Sequence, residues 1–123
     1  MAKHPSFPRR GGVYLVQFDP SVGHELKKRR PAAIVSNDHM NELAATVLVM
    51  PITAGHFEYY HWIPVSPSEG GLTKPSTIVT EQLRAIDKRR IQRRLGTLRL
   101  DTMAKIEDAI RDHCGLPEGR VLP

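Results

Sequence analysis

The sequence predicts a mostly β protein of the α+β class: a small curved barrel or strongly bent antiparallel sheet packed on one C-terminal helix. Three observations predict it. Short runs rich in β-branched and aromatic residues recur as far as Leu98, punctuated by Gly, Pro, Asn and Asp. Helical spacing is clear in one place only, Asp101 to Cys114. A length of 123 residues, 40% hydrophobic and 25% charged, suits a single domain over residues 1–123.

The first strand is Val13 to Phe18, closed by the turn signal Asp19-Pro20. Residues 19–30 form a long connection, and Pro31 holds Arg30 extended at the mouth of the second strand. That strand, Ala32 to Ser36, is almost continuously apolar, which predicts burial on both faces. Asn37-Asp38 turns the chain, and His39 to Glu42 makes one short helical turn. Thr46 to Ile52 is the third strand, and Gly55 breaks the run. Phe57 to Val65 (FEYYHWIPV) reads as a fourth, aromatic strand, with Pro64 marking an edge or an end. Pro67 to Pro75, containing Gly70-Gly71, reads as a mobile loop. Ser76 to Ile86 alternates as a fifth strand, Asp87 to Gln92 is a turn or short helix, and Gly96 to Leu98 is a last short strand. In the helix, Asp101 suits the N-cap, and Met103, Ile106 and Ile110 make one apolar stripe. Glu107 and Arg111 are spaced to pair across a turn, and Gly115 with Pro117 stops the helix.

Lys and Arg total 18 against 13 Asp and Glu, a net charge of +5. Clustered positive charge favours polyanionic partners, nucleic acid first, although a solvated basic surface accounts for the same numbers. The one cysteine, Cys114, forms no internal disulfide and reads as a small packing residue. No apolar run approaches the roughly 20 residues of a membrane span, and MAKHPSFPRRGG lacks the apolar core of a signal peptide. Residues 1–9 read as a flexible basic arm and 116–123 as a loose tail, and the expected location is the cytoplasm.

Chemistry concentrates between Val13 and Asn37. Two apolar strands flank a loop with Gly23, Glu25, Lys27, Lys28, Arg29 and Arg30, a pocket suited to a phosphate backbone. Downstream, Met50-Pro51-Ile52-Thr53 ends another strand with a hydroxyl residue.

The pieces Arg10-Gly11-Gly12-Val13-Tyr14-Leu15-Val16, Asp19-Pro20-Ser21-Val22-Gly23-His24-Glu25, Arg30-Pro31-Ala32, Ser36-Asn37-Asp38, Pro51-Ile52-Thr53 and Glu81-Gln82-Leu83-Arg84-Ala85-Ile86-Asp87 stand in the order seen in the MazF/PemK toxin endoribonucleases. The chain resembles that family from about residue 10 to residue 114. The resemblance implies an SH3-like barrel of the CcdB/PemK type, a homodimer, metal-independent cleavage of single-stranded RNA at a short sequence, and inhibition by a cognate antitoxin. It also implies that Arg30 and Thr53 are catalytic and that Glu25 is an active-site carboxylate. Gly12 departs from the family, which has Asp or Glu there.

RNA is cut without a water nucleophile when a 2′-hydroxyl attacks the adjacent phosphate, leaving a 2′,3′-cyclic phosphate and a 5′-hydroxyl. The reaction needs a proton acceptor, a proton donor and a cation facing the phosphorane. The planar fork of Arg30 suits the cation, and its high pKa makes it a poor base. Thr53 can donate a hydrogen bond to the phosphate or the leaving oxygen. Glu25 is the candidate acceptor if burial raises its pKa, and His24 is its rival. Each residue also has a plain reading: Arg30 as a surface ion-pair partner, Thr53 as a strand-end residue, Glu25 as a counter-charge for Lys27 to Arg30.

His24, Lys27, Lys28, Arg29 and Arg84 are further candidates for RNA contact, as are His56, Tyr59 and His61 in the aromatic stretch. The run Lys88, Arg89, Arg90, Arg93, Arg94 is a solvated face or part of an RNA groove. Phe57, Tyr59, Tyr60 and Trp62 divide between core or dimer interface and base stacking. His56 and His61 lack a second pair at zinc spacing, so neither a metal nor any other cofactor is expected. Two rival readings stand beside the nuclease: a non-enzymatic toxin of the same barrel that poisons a protein such as gyrase, as CcdB does, and a plain nucleic-acid-binding module. The terminal GLPEGRVLP lacks the aromatic anchor that the first rival wants.

Overall fold

Val13, Val16, Ala33, Ile34, Val47 and Val49 come from runs too apolar to remain in water, and all six are fully buried. Their backbone groups, sealed from solvent, are paired within an antiparallel sheet. The computed structural model describes residues 7–117. Its elements are β1 (Gly12–Gln17), β2 (Arg29–Ile34), α1 (Asp38–Leu43), β3 (Thr46–Ala54), β4 (Ile63–Val65), β5 (Ser76–Ile78), β6 (Arg84–Asp87), β7 (Ile91–Thr97) and α2 (Leu100–His113). The order across the sheet is β4-β5-β3-β2-β1-β7, with β6 also paired to β3. Among the described residues no ladder joins β4 to β7, so the sheet is bent and open rather than closed.

Side chains alternate across a strand, and the alternation divides the core. Val13, Ala33, Met50 and Ile52 face one cluster, closed by Leu98 and by Met103 and Ile106 of α2. Tyr14, Val16, Phe18, Ala32, Ile34, Val47, Val49 and Ile86 form the other. Each fully buried Val or Ile contributes about 1.5–3 kcal/mol relative to exposure. Residues Ala32 to Ser36 are buried throughout, as their composition predicts, and Pro64 does lie on an edge strand.

The expected fifth strand, Ser76 to Ile86, is two strands. Ile52 pairs with Ile78, but Val49 pairs with Arg84. Three residues of β3 are therefore matched by six of the partner, and the surplus is extruded as a 3-10 turn, Thr80–Gln82. Each turn residue is held by its side chain. The Thr80 hydroxyl, fully buried, donates to the His61 carbonyl at 3.0 Å and accepts from His113 Nε2 at 2.9 Å. Glu81 accepts from the Trp62 indole at 2.5 Å, and Gln82 reaches the β1–β2 loop.

The fourth strand is shorter than expected: only Ile63–Val65 pairs, and residues 57–62 are irregular with a turn at 60–61. Left-handed backbone at Gly55 and at His61 bends the segment away from the ladder. Phe57, Tyr59 and Tyr60 are exposed and Trp62 is half-buried, so none joins the core. The last strand is longer than expected, because β7 begins at Ile91 and pairs along β1. β2 begins at Arg29, since Arg29 and Arg30 pair with Gln17 and Val16.

The Pro67 to Pro75 connection is packed rather than mobile. Gly71 (φ +72°) lies against β7 so closely that an added Cβ would sit 1.9 Å from the Leu95 carbonyl oxygen. Glu69 in the same connection completes the first turn of α2, accepting from the Arg99 amide at 3.0 Å and the Thr102 hydroxyl at 2.6 Å. Asp101 is therefore not the N-cap: the helix starts at Leu100, and the Asp101 carboxylate accepts only from the next amide and from Arg99 Nε. Glu107 pairs with Arg10 at 2.7 Å instead of Arg111, which turns to Asp108 at 3.1 Å. Cys114 is exposed, not packed.

Of the expected N-terminal arm, residues 7–9 are tied down: the Arg9 guanidinium covers the Phe7 ring and the Arg9 amide donates to Tyr14 Oη at 3.3 Å. The rest of the arm and most of the expected tail lie outside the described residues. At Gly12 an added Cβ would meet the Tyr14 ring at 2.6 Å, so the acidic side chain that the resemblance leads one to expect would require that ring to shift.

Gly71→Ala is expected to destabilise the protein by about 3 kcal/mol or more, through backbone overlap and left-handed strain together. Gly23→Ala, also at positive φ but with nothing within 4 Å, is expected to cost only about 1 kcal/mol. Chemical denaturation of both variants measures the difference; equal costs would refute the close approach of Gly71 to β7.

Candidate active site

Arg30 and Thr53 stand on neighbouring strands. The last paired rung of β2 and β3 is Ala32–Pro51, and Arg30 and Thr53 lie two residues beyond it on each strand. Side-chain alternation gives both the face of Ala32 and Pro51. Arg30 is half-buried, and its Nε donates to the Lys27 carbonyl at 2.9 Å. That tether leaves both terminal guanidinium nitrogens without a partner among the described residues. Partial burial pulls the Arg30 pKa below its ordinary value, and the nearby Asp19 carboxylate opposes this. Thr53 is half-buried, and its strand partner on the other side is Thr77. The Thr77 hydroxyl donates to the Gly55 carbonyl at 2.7 Å and accepts from the Phe57 amide at 3.2 Å, fixing the turn that follows Thr53.

The β1–β2 loop is ordered by its own polar groups. Ser21 Oγ bonds the carbonyls of Phe18 and Leu26, and Asp19 accepts from the Lys28 amide at 2.9 Å. Arg90 Nη1 donates to the carbonyls of Gln17 and Asp19, so one residue of the predicted basic run is structural. Another, Arg89, is paired with Asp87, which holds that carboxyl down at about 2. Glu25 is exposed, and its carboxylate accepts from the Val22 amide at 2.6 Å. The burial that would favour it as a base is therefore absent.

Gln82 joins this loop to the rest of the fold. Its Oε1 accepts from the Leu26 amide at 2.8 Å and its Nε2 donates to the His24 carbonyl at 3.1 Å, so one side-chain amide mimics a strand neighbour. Glu25 lies between these two bonds. Together with Phe18, Pro51, Glu81 and Arg84 it lines a cavity of about 220 Å³. The Arg84 guanidinium stands 5.8 Å over the Phe18 ring. The motif Glu81-Gln82-Leu83-Arg84 contains both residues; Arg84 stood out by its charge, whereas nothing in the motif showed that Gln82 would bind this loop.

His24, Lys27, Lys28 and Arg29 are exposed around the loop. His56 and Tyr59 are exposed beyond the end of β3, and Tyr59 packs on Trp62 with ring centroids 5.1 Å apart. His61 is not brought to this group. It faces Asp112 of α2 at 3.4 Å and lines a separate cleft with Asp108, Arg111 and Leu116. Among the described residues no cluster of three or more His, Cys, Asp or Glu could hold a metal, and no helix is long and apolar enough to cross a membrane.

Residues 9–114 match the family described as PemK-like, MazF-like toxin of type II toxin–antitoxin systems. The chain is 34% identical over 110 residues to the endoribonuclease MazF of Staphylococcus epidermidis, covering 88% of this chain and 92% of that protein. Its fold is similar to MazF from Deinococcus radiodurans, with a TM-score of 0.80 and 23% identity over 91% of this chain and all of that one. It is also similar to a mycobacterial endoribonuclease solved in complex with its cognate antitoxin, with a TM-score of 0.73 and 26% identity, covering 94% of this chain and all of that one.

Replacing Gln82 by Ala removes both bonds to the loop, each worth about 1 kcal/mol net. Hydrogen exchange at the Leu26 amide is expected to rise about ten-fold, while the β3 amides keep their protection. Unchanged exchange at Leu26 would show that the loop is held by something else.

Proposed function

The chain belongs to the PemK-like, MazF-like toxins of type II toxin–antitoxin systems, and from that premise we propose that it is an endoribonuclease that cuts single-stranded RNA at a short specific sequence without a metal. The observation that carries the reading is the placement of Arg30, whose two terminal guanidinium nitrogens have no partner among the described residues, and Thr53 at the same end of the β2–β3 pair. The 2′-oxygen of the nucleotide attacks the adjacent phosphorus and the bond to the 5′-oxygen breaks. The products are a 2′,3′-cyclic phosphate and a 5′-hydroxyl.

The terminal nitrogens of Arg30 take the non-bridging oxygens as a fork, and Thr53 donates to the phosphate or the departing oxygen. A donor aimed at developing charge supplies roughly 3 kcal/mol. The 2′-hydroxyl proton goes to Glu25, the carboxylate on the loop beside Arg30, with the His24 imidazole as the competing acceptor. Lys27, Lys28, Arg29 and Arg84 draw the phosphate backbone to the site, and His56 and Tyr59 extend the surface to unpaired bases.

A cognate antitoxin restrains the enzyme. An acidic extended peptide laid over the cationic loop would cover Arg30 and compete with RNA for the same charges. The active form is a homodimer, and the outer edges of β4 and β7 carry no ladder partner among the described residues.

Purified protein incubated with a long RNA in EDTA is expected to give discrete fragments ending in 5′-hydroxyls; survival of several unrelated long RNAs, or loss of cutting with chelator alone, would overturn the reading. Arg30→Lys keeps the charge but loses the fork, and Thr53→Val keeps the shape but loses the donor. Each is expected to lower kcat about 100-fold or more with the circular dichroism spectrum unchanged. Glu25→Gln is expected to lower kcat about 100-fold with KM little changed, and a variant with near-full rate would pass the acceptor role to His24.

A further inference from the structure

A second cavity opens beside Thr53. It has a volume of about 250 Å³, and its lining includes Pro31, Ile52, Thr53, Leu72, Lys74 and Ser76. Ile52 and Leu72 belong to one core cluster, whereas Phe18, which lines the cavity of Glu25 and Arg84, belongs to the other. Both cavities meet the end of the β2–β3 pair, where Pro51 lines one and Ile52 and Thr53 line the other. Thr53 and the neighbour of Arg30, Pro31, form the wall of the second one.

A phosphodiester held at Arg30 and Thr53 carries one nucleoside on each side. We propose that the cavity beside Lys74 is a nucleoside subsite for one of the two nucleotides adjoining the cut, with Lys74 as its specificity-determining residue. This rests on the endoribonuclease reading above. The walls have the mixed chemistry that a base requires. Pro31, Ile52 and Leu72 offer an apolar surface to the ring face, and the exposed Thr73 adds a polar residue to the lining. Ser76, 4% exposed, donates its hydroxyl proton to the Lys74 carbonyl at 2.9 Å, which leaves its oxygen able to accept. The exposed Lys74 ammonium has no ion-pair partner among the described residues and can only donate, so it selects a base carbonyl or ring nitrogen.

Lys74→Ala is expected to raise KM several-fold with kcat little changed, and to relax base preference at one position adjoining the cut when cleaved transcripts are mapped by sequencing their ends. Lys74→Arg should restore the preference in part. Lys105→Ala, which removes one exposed charge from α2, serves as the control and should leave the preference intact. If the wild type cuts RNA and Lys74→Ala keeps the same preference at both adjoining positions, the subsite is refuted and the endoribonuclease reading stands. If the wild type cuts no RNA, both fall.

Discussion

Three residues too many on the partner of β3 organise this molecule. The sheet pairs β3 with β5 at one end and β6 at the other, and between them the partner chain must discard Thr80–Gln82 from the ladder. Nothing is lost by the discard, because each expelled residue finds bonds outside the sheet. Thr80 takes the aromatic turn and the end of α2, Glu81 takes Trp62, and Gln82 takes the β1–β2 loop. One short turn thereby sets the positions of three segments that have little core of their own.

The electrostatics around the site follow from what the loop does with its charges. Several of the arginines that look alike in sequence are already engaged: Arg90 on backbone carbonyls, Arg89 on Asp87, Arg10 on Glu107. Arg30 is different. Among the described residues it is fastened by one nitrogen and open at two, on the strand beside that of Thr53, whose hydroxyl has no side-chain partner there. A cation that is aimed but not satisfied suits a ligand that brings its own negative charge.

Much of the fold was readable in the residues, for local reasons. The β-branched runs of β1, β2 and β3 and the apolar stripe of α2 have periods that physics enforces within one element. Where the sequence misled, the deciding partner was far away in the chain. The extruded turn looked like continuous strand because register is a property of two strands and not of one. The aromatic stretch has strand composition, yet positive φ at Gly55 and His61 turns it out of the sheet. Glu107 had an ideal partner one turn along and took Arg10 instead. The site was legible in a different way. Spacing alone offered a cationic loop and a strand-end threonine, each with a plain reading; motif order picked out Arg30 and Thr53. Gln82 escaped notice because its role is to bind backbone, which leaves no chemical signature.

Helix α2 begins with an acid that is not its own. Its first turn is closed by Glu69, thirty residues upstream, so the acid that completes it is in place only while the β4–β5 connection is docked on β7. The helix is thus tied to the state of that connection, and so is the seal it forms over Met103 and Ile106. An incomplete or nicked chain would carry an open hydrophobic seam there, which marks it for proteolysis before it could act as a toxin.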